Sequence, residues 1–380
     1  MVSSRVSGRT IQRSAAGAML AGGCATLLGV GLQRFAYAPL LPAMVLAGWL
    51  MPGAAGVLGA SNLAGYLFGA AAAPAVARRF GLLAALRGAM LTAAACFALC
   101  AWPGGLAWFL PWRILAGVAG GLLMVLAGPA VQQAVAASQR SRAAGVMFGG
   151  VGLGIVAGAV LVPVLLPAGL PGTWLALALA GFVLAALSWR LWPDVPPPPR
   201  LPVSAAGAWR LILCYSLAAA GSTPQMVFWP DYIARGLGLG AFEGAAMWTA
   251  YGIAAAAGVT LCGALANRVG IRRLYVAVLA VQAAGLALPL LDQSLPTLLA
   301  SSVLAGAAAL STAALTLLLT KEIAGDASPG VWQVATAAFG AAQTACGFGL
   351  AALYAATGSH LPLFALGLTL TLVSLPLARR

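Results

Sequence analysis

The stretch Gly31-Leu-Gln-Arg-Phe-Ala-Tyr-Ala-Pro-Leu-Leu-Pro42 decides the fold, because it sets a charged side chain inside an apolar run from Gly17 to Leu46. A helix of that length reaches about 45 Å, against a bilayer core about 30 Å thick. Arg34 on such a helix must face protein or a water-filled cavity, since an arginine facing lipid near the bilayer centre costs at least about 2.5 kcal/mol. Pro39 and Pro42 follow within two turns, and each removes a backbone donor from the helix ladder. Breaks of this kind persist in a bilayer only where neighbours or cavity water satisfy the freed carbonyls. Arg34 therefore either snorkels to the outer interface or serves as a polar determinant on a helix lining a path through the membrane. The rest of the chain favours the second reading.

Of 380 residues, 62% are hydrophobic and only 7% charged, with a mean hydropathy of +0.99. A soluble domain carries about 25% charged residues, so the composition describes a polytopic membrane protein. The net charge of +14 rests on nineteen arginines and Lys321. It reads as a topology signal rather than a nucleic-acid surface, and no nucleic-acid partner is expected. Cys24, Cys96, Cys100, Cys214, Cys262 and Cys346 all fall inside apolar runs, away from any histidine or carboxylate. They read as small packing residues, and neither a metal nor another cofactor is implied. His360, the single histidine, falls in a predicted loop. With no cluster of His, Cys or carboxylate, an enzyme is not expected.

Apolar runs between charge and Gly/Pro breaks give twelve spans, at 17–46, 53–76, 82–102, 106–136, 142–166, 173–192, 208–234, 242–266, 272–291, 295–320, 329–356 and 361–378. The fold class is thus all-α, with an N-terminal six-helix half (1–193), a Pro-rich linker (194–206) and a C-terminal half (207–380). Arg5, Arg9 and Arg13 before the first run superficially resemble a signal peptide. That run is too long for one, so the segment reads as a retained first helix. With the N-terminus in the cytoplasm, seventeen of the twenty basic residues fall on the inside. The positive-inside rule therefore expects both termini to be cytoplasmic.

An internal repeat spans half the chain. Leu41-Pro42 matches Trp229-Pro230 at an offset of 188, and Val76-Ala-Arg-Arg-Phe-Gly81 matches Leu265-Ala-Asn-Arg-Val-Gly270 at 189. Arg113-Ile-Leu-Ala-Gly117 matches Ser302-Val-Leu-Ala-Gly306 at 189, and Phe148-Gly149 matches Phe339-Gly340 at 191. Two parallel six-helix repeats are the architecture of major facilitator transporters.

Gly263-Ala-Leu-Ala-Asn-Arg-Val-Gly-Ile-Arg-Arg273 resembles the loop signature of that superfamily, with Asn267 at its usual acidic position. Arg78, Arg79 and Gly81 form a worn copy after the second span. The resemblance implies a gating role for these residues and for Gly263, Arg268, Gly270, Arg272 and Arg273. The missing acid puts the usual latch in doubt. Arg34 to Pro42, with Trp229-Pro230 through Arg235 and Trp248-Thr-Ala-Tyr-Gly252, resembles the YbfB/YjiJ-like branch. That resemblance implies a secondary transporter of the bacterial inner membrane. Helix 11 departs from the branch pattern, with Ala342-Gln343-Thr-Ala-Cys346-Gly347 in place of Gly-Gln-x-x-Gly-Pro.

Tyr37, Asn62, Tyr66, Gln225, Trp248, Tyr251 and Gln343 are polar or amphipathic residues within spans, and are expected to line a cavity with Arg34 and Arg113. Gly117, Gly120 and Gly121, with Gly145, Gly149, Gly152 and Gly154, form small-residue faces for close helix packing. All six acidic residues lie at or beyond helix ends, so Asp231 is the sole plausible proton-coupling carboxyl, expected near outer water beside Arg235. With no mid-membrane carboxylate, Arg34 and Arg113 suit an anionic small-molecule solute. A monomer working by alternating access in the lipid bilayer is expected. The alternatives are a proton-coupled exporter of drugs or metabolites, and a non-transporting membrane sensor or scaffold on the same fold.

Overall fold

The computed structural model describes residues 15–196 and 207–379, with the side chains of Ser141, Asn267, Asp326, Pro329 and Arg379 outside the description. Arg5, Arg9 and Arg13, most of the Pro-rich linker and Arg380 also lie outside the described residues. Every long element is a helix. These are α1 (Ala15–Leu46), α2 (Pro52–Phe80), α3 (Leu82–Leu99), α4 (Gly105–Ala134), α5 (Arg140–Leu165) and α6 (Gly169–Ser188). After the linker come α7 (Trp209–Asp231), α8 (Ala241–Val269), α9 (Ile271–Leu291), α10 (Leu295–Ala324), α11 (Ser328–Thr357) and α12 (Leu361–Arg379). Among the described residues, eleven stretches are long and apolar enough to cross a membrane, one of which, Ala137–Ser188, holds both α5 and α6. Gly169, at φ +83, divides that stretch.

The chain turns sharply wherever glycine lets it. Gly81 (φ 86, ψ 147) is the sole residue between α2 and α3, and Gly270 (φ 90, ψ 134) is the sole residue between α8 and α9. Both conformations are essentially restricted to glycine. The two turns lie 189 residues apart, so the repeat read from the sequence reappears in backbone geometry. At the end of α6, Arg87 from α3 donates through Nε and Nη2 to Trp189 O at 3.0 and 2.7 Å, capping a carbonyl that the helix leaves free.

Packing repeats in the same way. α2 packs on α4 as α8 packs on α10, α3 on α4 as α9 on α10, and α3 on α6 as α9 on α12. One buried apolar cluster draws only on residues before the linker, and another only on residues after it. A third mixes the two sets, joining Phe35, Leu63 and Ile155 to Phe228, Trp248 and Leu350. The helix pairs α2–α11 and α5–α8 bridge the two groups.

Small residues bring α2 and α4 to backbone contact. A Cβ at Gly117 would stand 2.1 Å from Asn62 O, and one at Gly69 2.1 Å from Val118 O. Their counterparts 189 residues later do the same, Gly306 at 2.1 Å from Tyr251 O and Gly258 at 2.4 Å from Ala307 O. Gly120 meets Gly29, and Gly154 meets Gly31, so α1 lies against α4 and α5. Gly121 and Gly152 also make close approaches. Gly145 and Gly149 do not, having nothing within 4 Å of an added Cβ. The small-residue face expected on α5 is thus confined to its later turns.

Candidate functional site

Helix α1 is not a regular rod, and its irregularity builds the site. Leu27–Leu32 is wound as π-helix, and the chain bends at Ala36 between Gln33–Phe35 and Tyr37–Leu46. Pro39 lacks the N–H that Phe35 O would accept in an unbroken helix. That carbonyl instead accepts from Trp248 Nε1 on α8, at 3.1 Å. Gln33 O, two residues earlier, accepts from Arg113 Nη1 on α4 at 3.0 Å. The carbonyl freed by Pro39 and another beside the bend at Ala36 are thus taken by two side chains that the sequence had marked.

Arg34 and Arg113 line one small cavity with Tyr37, Asn62, Met226 and Val227. Its volume is about 10 Å³ measured to the centre of a water-sized sphere, room for about one water. Arg113 is 1% exposed, its guanidinium carbon 4.4 Å from the Tyr37 ring centre. Asn62 Nδ2 donates to Arg113 O at 3.1 Å, and Tyr37 OH donates to Ala55 O at 2.8 Å. Arg34 donates through Nη2 to Gln343 Oε1 on α11, and the same nitrogen lies 3.1 Å from Met226 Sδ on α7. Tyr66 stands under its guanidinium at 5.7 Å. The Nε atoms of both arginines are buried without a hydrogen-bond partner. Trp248 and Tyr251 stack at 4.6 Å beside Phe35.

Of the lining expected from the sequence, Arg34, Tyr37, Asn62, Tyr66, Arg113, Trp248, Tyr251 and Gln343 thus form one neighbourhood. Gln225 does not join it. Its amide is bound to Gly285 O and Ser301 Oγ, both at 3.0 Å, among α7, α9 and α10. Gln33, which the sequence reading passed over, makes the matching bond to Ala93 O between α1 and α3. Gln33 and Gln225 are 192 residues apart, as are Ala93 and Gly285. The register between α1 and α7 is therefore one helical turn longer than the offset of 188 taken from the Leu41-Pro42 match. In the corrected register Arg34 corresponds to Met226 instead of Ser222, and the two side chains meet. Arg113 keeps Ser302 as its neutral counterpart, which accepts from Trp229 Nε1 at 2.8 Å.

Asp231 is 1% exposed, not beside open water as its position near a helix end suggested. Arg235 donates to both carboxylate oxygens at 2.5 Å, and His360 Nε2 lies 2.9 Å from Oδ2. The signature residues lie at helix ends far from this cluster in sequence. Arg78, Arg79, Gly81, Gly263, Arg268, Gly270, Arg272 and Arg273 are exposed, and Asn267 falls in the last turns of α8.

Residues 26–379 match the family described as "Uncharacterised MFS-type transporter YbfB". The chain belongs to this family. It is a multi-pass membrane protein of the major facilitator superfamily, in the YbfB-like branch that the Arg34–Pro42 stretch resembles. A search of curated proteins finds no match. The small cavity of Arg34 and Arg113 lies between α1, α2, α4 and α7.

Proposed function

We propose that the chain is a twelve-span secondary transporter that moves an anionic organic solute across the bacterial inner membrane by alternating access. Residues 1–193 and 207–380 form its two halves, joined by the linker 194–206, with both termini in the cytoplasm. The helices α5 and α6 inside one apolar stretch, the repeated packing and the separate buried clusters support the two halves. The inside excess of arginine supports the orientation. Gly81 and Gly270 then mark the cytoplasmic end, and Met51 and Gly358 the outer end.

The observation that carries the solute class is the pair of guanidiniums on one cavity, each with a buried and unpartnered Nε. A buried cation is retained only with compensation. Asp231, on the same helix as the lining residue Met226, is already held by Arg235 and His360. A carboxylate or phosphate suits the planar donor fork of arginine in particular. Arg34 also bridges the halves, from α1 to Gln343 on α11. A solute anion taking the place of Gln343 Oε1 would exchange that bridge for one through itself. Differential contact of this kind is what lets a ligand shift a conformational equilibrium.

A second reading has its own observation. Arg113 is already committed to Gln33 O and the Tyr37 face, so it serves to hold the bend in α1 while Arg34 alone meets the solute. Purified protein in proteoliposomes, offered labelled carboxylates, organophosphates and cationic dyes, separates these readings. The first expects an anion to be carried, with Arg34→Ala and Arg113→Ala each slowing it about thirtyfold or more while the protein stays folded. Undiminished transport in Arg113→Ala alone supports the second reading. Transport of cations, or normal rates in both variants, contradicts the solute class, and a protein that carries nothing in any panel points to a sensor or scaffold.

A further inference from the structure

The cluster of Asp231, Arg235 and His360 takes no part in the proposed solute site, yet it is built as a site of its own. Asp231 closes α7, Arg235 lies in the π-helical turn Tyr232–Gly236, and His360 directly precedes α12. Leu363 and Phe364 donate to His360 O at 3.0 and 3.3 Å, so His360 starts that helix. Its ring is 4% exposed and boxed by Phe228, Tyr232 and Tyr354, at centroid distances of 6.4, 5.5 and 4.6 Å. Three helices of the C-terminal half are tied through one imidazole.

The same aromatic box touches the other half. A Cβ at Gly56 on α2 would stand 2.6 Å from Phe228 Cζ and 3.2 Å from Ala351 Cβ, so the tip of Phe228 rests on the α2 backbone. Gly53 approaches Ala355 on α11 in the turn before. In the orientation given above this is the outer end of the bundle, and it is closed here. Phe228 thus has the inter-half contact on one side and His360 on the other.

We propose that Asp231, Arg235 and His360 form a proton-binding site behind this outer contact, and that a proton bound there favours the outward-open form. The inference rests on the alternating-access reading but not on the charge of the solute. With His360 neutral, the cluster holds one cation and one anion. Adding a proton leaves a net positive charge in a site where Asp231 and His360 are almost wholly buried, which is costly. Opening the α2–α11 contact brings water to the cluster and lowers that cost. Histidine is the side chain whose ordinary titration range spans neutral pH. The other ionisable groups around the cluster are the Tyr232 hydroxyl, buried without a partner, and Tyr354 from α11. Glu243 lies in the first turn of α8, the turn whose Gly244 packs on Pro230. Tyr37, from α1, lines the cavity and donates its hydroxyl to Ala55 O.

If the open form binds the proton ten times more tightly, the open-to-closed ratio changes by up to about tenfold across the titration. The test places spin labels at Trp102→Cys and Leu291→Cys, two exposed positions at the outer ends of opposite halves, after replacing the six native cysteines. Distances are measured on solute-free, full-length protein in nanodiscs at pH 5.5, 7 and 8.5. The longer outer distance is expected to gain population about threefold or more at pH 5.5 relative to 8.5. His360→Gln, which keeps a hydrogen bond to Asp231 but does not titrate, is expected to remove the response. Asp231→Asn, which takes away the anion that favours the proton, is expected to weaken it or move it to lower pH. A parent protein with no pH response overturns the proposal, as does a response that survives in a folded His360→Gln or an unaltered one in Asp231→Asn. None of these outcomes bears on which solutes are carried.

Discussion

Gly117→Ala should destabilise the protein while Gly145→Ala, the same change 28 residues later, should not. At Gly117 the new Cβ would stand 2.1 Å from Asn62 O and 2.8 Å from Tyr66 N, both backbone atoms of α2 that no rotamer change can move. Restoring ordinary contact requires α2 and α4 to part by about 1 Å in an interior packed as densely as a crystal. That shift takes the Asn62 Nδ2–Arg113 O bond, 3.1 Å long, beyond hydrogen-bond reach. Overpacking costs about 1–3 kcal/mol and the lost bond about 1 kcal/mol, so about 2–4 kcal/mol in all. Gly145 has nothing within 4 Å, and alanine there gains about 0.5–1 kcal/mol of helix stability. Apparent Tm values of the two purified variants in nanodiscs, read by intrinsic tryptophan fluorescence, should fall on opposite sides of the parent or nearly so. Equal Tm values for Gly117→Ala and the parent would refute the close α2–α4 crossing, and with it the placement of Arg113.

Gly81→Ala and Gly270→Ala should each cost about 1–3 kcal/mol, because alanine is strained at their shared backbone conformation; a stable Gly81→Ala in thermal unfolding would contradict the one-residue turn. Trp248→Phe keeps the stack on Tyr251 but leaves Phe35 O unsatisfied, at a cost of about 1–3 kcal/mol. An unchanged Tm would show that Trp248 does not hold the Pro39 break. Hydrogen bonds from Ser294 and Thr297 hold the exposed Asp292 carboxyl below the usual aspartate value. A lowered value stabilises the fold above the ordinary aspartate range, and that contribution is lost as pH falls through the folded value. Protection factors in the first turn of α10, which are corrected for the intrinsic pH dependence of amide exchange, should therefore fall below about pH 4 in the parent, and protection factors unchanged with pH would count against the cap.

Much of the fold was legible because a bilayer restricts what a sequence can do. Long apolar runs, basic loops and an arginine beside two prolines leave few alternatives to a helical bundle. The turns at Gly81 and Gly270 were visible as paired loop motifs, since only glycine serves there. The register of α7 against α1 was misread because the match was made on prolines. Membrane helices tolerate proline at varied depths when a side chain such as Trp248 takes the freed carbonyl, so proline is a poor marker of register. The Gln33 and Gln225 bonds mark it better, but they become visible only once α3 and α9 are in place. Asp231 and His360 stand 129 residues apart, and no periodicity joins them. The loop assigned to His360 was right, but its burial followed from three helices converging on it.

The anion site is tested most directly by ligand stabilisation of the purified protein, using matched carboxylates, phosphate esters, sugars and quaternary amines. At least one carboxylate or phosphate ester should raise the Tm of the parent, at a concentration that leaves Arg34→Ala and Arg113→Ala unmoved. Stabilisation by quaternary amines alone, or by an anion equally in the parent and both variants, would contradict the account.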